Sequence, residues 1–112
     1  MTKVYCDSSL KAACFVVEGQ KAVVCWRTAS TVNIGEYDAV IRALEEAQRL
    51  KLKQVELFTD SELVVRQVSG EYQCKALHLR PSRDYVRELL QELGATLQWI
   101  PREENLAGWA LG

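Results

Sequence analysis

The sequence predicts an α/β domain: a five-stranded mixed sheet, three antiparallel strands followed by parallel ones, with helices on both faces. Three observations predict it. Three apolar runs rich in β-branched residues come first, helical periodicity sets in near Gly35, and two further strand-like runs then alternate with helices.

The opening strands are Lys3-Val4-Tyr5-Cys6-Asp7, Ala13 to Glu18 and Lys21 to Trp26, the last two joined by Gly19-Gln20 as a two-residue hairpin turn. Arg27 to Asn33 is polar and reads as a loop. From Gly35, Val40, Ala43, Leu44, Ala47 and Leu50 recur at helical spacing. Gln54 to Thr59 alternates as a strand, and Ser61 to Val68 reads as a short helix ended by Gly70. A further amphipathic helix starts near Pro81-Ser82, carries Val86, Leu89, Leu90 and Leu93, and stops at Gly94. Ala95 to Ile100 is the last strand, Pro101 stops it, and only a stub of helix follows. Strands reached through helical crossovers should lie parallel to the first. No repeat or linker interrupts residues 1–112, which are expected to form a single domain.

Of the 112 residues, 48% are hydrophobic and 26% charged, the balance of a globular chain able to build a core. A net charge of −1 gives no general attraction for nucleic acid, so an anionic partner must be held by local cations. No apolar run is long enough to span a bilayer, and the N-terminus lacks a signal-peptide pattern. Cys6, Cys14, Cys25 and Cys74 form no C-x-x-C pair and are expected to be reduced core thiols of a cytoplasmic protein.

Three acids stand where the pattern wanted something else. Asp7 ends the first strand, where a carboxylate costs solvation unless paired; its alternative role is a turn residue opening Asp7-Ser8-Ser9. Glu36 shares a helix face with Val40, Ala43 and Ala47, in the first turn, where it also complements the helix dipole. Asp60 follows the fourth strand, at a strand end where open sheets place ligands, and is also a natural N-cap. Converging carboxylates repel, and a hard divalent cation relieves that repulsion.

Five stretches in order carry a resemblance: residues 4–9, 31–39, 57–65, 68–72 and 100–105. They resemble the ribonuclease H family, closest to its compact bacterial and archaeal type I members. The resemblance implies a ribonuclease H-like fold and a hydrolase cutting the RNA strand of an RNA–DNA hybrid with two Mg²⁺ ions, Mn²⁺ being a substitute. It makes Asp7, Glu36 and Asp60 the catalytic metal ligands, with Asp7 bridging both ions. Asn33 and the Ser8-Ser9 backbone would read the shallow groove and 2′-hydroxyls, and Thr31 and Ser61 would hold phosphate or sugar oxygens. A monomer with no membrane partner is expected.

The match breaks near the C-terminus. Where the family carries N-x-x-A-D-x-L-A, this chain reads Asn105-Leu106-Ala107-Gly108-Trp109-Ala110-Leu111-Gly112. The fourth acid falls on Trp109 without gaps, or on Gly108 after a one-residue shift. Either a three-acid site still cuts, weakened, with water or Glu103 or Glu104 in the gap, or the domain binds hybrids without cutting. A partner-docking domain is the third alternative. His78 lies before the final strand, so the family's loop histidine is not carried over to it. Lys75, Arg80, Arg83 and Arg87 form a basic run that could meet DNA phosphates.

Overall fold

Strand β1 (Thr2–Ser8) is the axis of the molecule, described for residues 1–111 by a computed structural model. It pairs antiparallel with β2 (Ala12–Val17), which pairs antiparallel with β3 (Val23–Trp26). On its other side it pairs parallel with β4 (Val55–Thr59), and β4 pairs parallel with β5 (Thr96–Trp99). The order β3-β2-β1-β4-β5 is the mixed sheet expected from the sequence. Gly112 lies outside the described residues.

Alternation along the strands separates two faces. Val4, Cys6, Phe15, Val17, Val55 and Leu57 point into a core closed by α1 (Val32–Arg49) and α3 (Arg80–Leu93), through Val40, Leu44, Val86 and Leu89. Helix α2 (Glu62–Ser69) joins this layer, and the buried Tyr37 hydroxyl of α1 donates to Gln67 of α2 at 2.8 Å. On the other face, Tyr5 and Phe58 stack with centroids 5.2 Å apart. Helix α4 (Leu106–Leu111) covers β1 and β2 there. No helix among the described residues is long and apolar enough to cross a membrane. All four cysteines are free, three of them buried.

Two boundaries differ from the sequence expectation by more than one residue. Helix α1 begins at Val32, because the Thr31 hydroxyl accepts the Ile34 amide at 3.1 Å and so caps a turn that composition alone reads as loop. The β2–β3 connection spans residues 18–22 rather than two residues. Gln20 closes the turn by donating to the Val17 carbonyl at 2.8 Å, and Lys21 and Ala22 are exposed with nothing to bury.

Asn105 fastens the short α4. It is fully buried, its amide nitrogen donates to the Cys6 carbonyl at 2.8 Å, and its oxygen accepts the Ala107 amide at 3.1 Å. One side chain thus caps the helix and ties it to the central strand. Replacing Asn105 with Ala removes both bonds and leaves a void, and is expected to lower stability by roughly 1–3 kcal/mol in urea unfolding. An unchanged midpoint would show that α4 is held by other contacts.

Candidate active site

The register of β1 on β4 builds the site. Cys6 stands opposite Thr59, so the next residues, Asp7 and Asp60, emerge side by side where the two parallel strands end. Asp60 does not serve as the N-cap that its position suggested. Ser61 takes that role, its hydroxyl accepting the Val64 amide at 3.3 Å, and the Asp60 carboxylate is left to the cleft.

Glu36 arrives from the first turn of α1, and Gly35 lets it come close. A Cβ on Gly35 would lie 2.7 Å from the Ser8 hydroxyl, 3.2 Å from the Ala29 methyl and 3.3 Å from the Arg27 guanidinium. Only a residue without a side chain lets this turn press against the end of β1. Asp7, Ser8, Glu36 and Asp60 then line one open cleft of about 460 Å³, with Trp99 and Arg102 also on its wall.

The electrostatics follow from the crowding. Burial pushes the Asp7 carboxyl up to about 6; the Ser8 amide lowers it, the Asp60 charge raises it further, and Arg102 partly offsets that. Burial raises the Glu36 carboxyl too, the Ser61 hydroxyl opposing and the Asp60 charge reinforcing. Asp60 is the acid whose charge reaches both others. The three acids share a cleft without yet closing on one point, and no ready-made cage of three or more His, Cys, Asp or Glu ligands exists among the described residues. The donor set is nevertheless all carboxylate oxygen, half-buried and mutually repelling, which suits a hard divalent cation.

The other expected site residues divide. Asn33 is exposed in the first turn of α1, its side chain directed away from the core. Thr31 is exposed but its oxygen already caps α1. Ser8 lines the cleft, yet its hydroxyl accepts from Arg27 at 2.8 Å. The Ser9 hydroxyl accepts the Lys11 and Ala12 amides at 3.3 and 3.1 Å, and its own amide donates to the Ala12 carbonyl, so its polar groups serve the turn. Ser61 is only 4% exposed, which makes it a support for α2 and Glu36 rather than a substrate contact.

The two residues that the resemblance aligns with the family's fourth acid sit differently. Gly108 faces Asp7, a Cβ there falling 3.2 Å from the Asp7 Oδ2, whereas Trp109 is 77% exposed. Glu103 and Glu104 are exposed on the turn Arg102–Glu104 and stand outside the cleft lining. Sequence reasoning missed Val32, Glu62, Trp99 and Arg102 as wall residues, the Glu62 carboxylate being paired with Arg66 at 2.7 Å. Arg102 sat inside a quoted motif, but nothing in the pattern marked it as a cation whose charge reaches Asp7. The basic run is partly consumed by structure: Arg80 donates to the Cys74 carbonyl, Arg87 to those of Gln67 and Val68, and Arg83 pairs with Asp84. His78 is exposed.

Comparison with known proteins identifies the family. A family model described as reverse transcriptase-like matches residues 4–111. A ribonuclease HI of Halobacterium salinarum is 38% identical over 77 residues, which make up 68% of this chain and 39% of that protein. A bifunctional protein of Mycobacterium tuberculosis is 30% identical over 77 residues, 68% of this chain and 21% of its own length. The matched part of the chain thus spans about two fifths of the first relative and a fifth of the second. Among solved structures, RNase H1 from Halobacterium salinarum superposes with a TM-score of 0.88 at 30% identity, covering 98% of this chain and 92% of that one. LC11-RNase H1, from a compost metagenome and solved in complex with an RNA/DNA hybrid, superposes with a TM-score of 0.82 at 26% identity over 100% of both chains. Matched by the family model over residues 4–111 and by a 30%-identical structure over 98% of its length, this chain belongs to the type I ribonuclease H family.

Proposed function

We propose that this domain hydrolyses the RNA strand of RNA–DNA hybrids, as a monomer, with divalent ions held by Asp7, Glu36 and Asp60. The observation that carries the reading is the delivery of three carboxylates, from β1, α1 and the end of β4, into one cleft. The relative solved with an RNA/DNA hybrid and the relative named ribonuclease HI support the substrate class. The four free thiols support a reducing compartment such as the cytoplasm.

When bound, Mg²⁺ or Mn²⁺ supplies positive charge against the charge that develops on the phosphate and makes water a stronger acid. The chain's own residues do the rest. Asp7, beside Asp60 at the strand ends, would hold the divalent ions together with Asp60 and Glu36. Asn33, exposed beside Glu36, offers an amide to the shallow groove, and the Thr31 hydroxyl keeps its proton free to donate to a phosphate or sugar oxygen. Ser8 and Ser9 shape the rim of the cleft beside Asp7. Gly108, facing Asp7 without a carboxylate, favours a second reading: a hybrid-binding domain that does not cut.

The deciding assay is incubation with hybrids labelled on either strand, in Mg²⁺, in Mn²⁺ and in chelator. RNA fragments with metal, an intact DNA strand, and no cutting by Asp60→Asn are expected. Binding without fragments in either metal would establish the second reading.

Because Gly108 stands at the fourth-acid position, cutting is expected to need more metal than a four-acid site would, with Mn²⁺ outperforming Mg²⁺. Gly108→Asp should lower the metal concentration needed several-fold, after a shift of a few tenths of an ångström to relieve its 3.2 Å contact with Asp7. Full-rate cutting by the wild type in low Mg²⁺ would contradict a weakened site.

The raised Asp7 carboxyl makes a further expectation about pH. Its proton is held more tightly in the fold than in the unfolded chain, so its contribution favours the metal-free fold at low pH and turns unfavourable as pH rises through about 6. Asp7→Asn should therefore stabilise the metal-free protein at pH 7 by about 1–2 kcal/mol, after allowance for solvent reaching the carboxyl. That gain should vanish below a pH of about 4, where aspartate is protonated in both states. A variant no more stable than wild type at pH 7 would show that the acids are not strained.

A further inference from the structure

Arg27 belongs to the stretch that composition reads as loop, yet its side chain is only 13% exposed and its guanidinium makes four hydrogen bonds. Nη1 donates to the Ser9 carbonyl at 2.6 Å, and Nη2 donates to the Ser8 hydroxyl at 2.8 Å and to the Gly35 carbonyl at 3.0 Å. Nε donates to Asp38 Oδ2 at 2.6 Å. Ser8 directly follows Asp7, and Gly35 directly precedes Glu36. One planar cation therefore joins the backbone beside the first acid to the backbone beside the second.

We propose that Arg27 is a positioning residue that sets the separation of Asp7 and Glu36 by clamping Ser8 and Ser9 to the first turn of α1. The anchoring of Arg27 itself suits this role. Its amide donates to the Lys11 carbonyl at 2.9 Å and the Ala29 amide to the Leu10 carbonyl at 2.8 Å, so the segment is stitched to the β1–β2 turn. Asp38 fixes the guanidinium plane and is itself shared with Arg42, whose Nε donates to both its oxygens at 3.1 and 2.9 Å. The planar fork is what the task needs, because this guanidinium reaches four acceptors in fixed directions where an ammonium is a single point. The bare Cα of Gly35 completes the clamp, since a methyl there would wedge against the Ser8 hydroxyl that Arg27 holds.

The role bears on metal because two ligands on separate elements bind an ion well only when their spacing is fixed beforehand. The inference rests on the proposed metal-dependent function, but part of its test does not. Arg27→Lys keeps the charge beside Asp38 and removes the fork. Arg42→Gln touches the same Asp38 but neither Ser8 nor Gly35. Mn²⁺ binding followed by calorimetry on the folded variants, and kcat and KM on hybrid, should separate them. For Arg27→Lys, metal affinity and kcat are expected to fall roughly ten- to a hundredfold, the range for residues that orient metal ligands, with KM for hybrid little changed. Arg42→Gln should match the wild type in both. Gly35→Ala should reproduce the Arg27→Lys loss by wedging the same contact. If Arg27→Lys binds metal and turns over like wild type, or if Arg42→Gln loses as much, the clamp is not what positions the acids. If the wild type binds no metal, the proposed function fails, and the crystal structure of Arg27→Lys then decides the clamp alone. A widened gap between Ser8 and Gly35 supports it, and an unchanged gap overturns it.

Discussion

The pairing of β1 with β4 is the constraint on which this molecule turns. Backbone hydrogen bonds through Cys6 and Thr59 leave Asp7 and Asp60 adjacent at the ends of two parallel strands. The carboxylates cannot part without breaking the central ladder of the sheet. Their repulsion is therefore built in, and it adds to the burial that raises the Asp7 carboxyl. A fold that only needed to be stable would place a neutral residue at one of these positions.

The surrounding structure works around that pair. Ser61 takes over the capping of α2, so Asp60 is not drawn away to satisfy helix amides. Gly35 gives up a side chain so that α1 can bring Glu36 to the same edge. A glycine in a helix interior costs roughly 0.5–1 kcal/mol relative to alanine, a small penalty beside the close approach it permits. On the opposite face Asn105 pins α4 over β1, and Gly108 lies against Asp7. Arg102 then stands as the cation that tempers Asp7.

Much of this was legible in the sequence, for physical reasons. Apolar runs rich in β-branched residues placed β1 and β2, alternation placed β4, and helical spacing placed α1 and α3, because burial leaves a strong mark on composition. Asp7, Glu36 and Asp60 stood out because each interrupted such a pattern. What escaped were features set by tertiary contact. The cap that starts α1 at Val32 depends on the geometry of Thr31, not on hydrophobicity. Whether Gly108 or Trp109 faces Asp7 depends on how α4 docks, which Asn105 decides through a partner 99 residues away. Arg27 looked like a polar loop residue because its acceptors, two of them backbone carbonyls, lie in elements on either side of it.

The most direct measurement is a crystal structure of the protein soaked in Mn²⁺, with the ion located by its anomalous scattering. The peak is expected within the cleft, against the carboxylate oxygens of Asp7, Asp60 and Glu36, with Glu36 drawn in toward the two strand-end acids. Anomalous density elsewhere on the surface, with the cleft empty at saturating metal, would contradict the account.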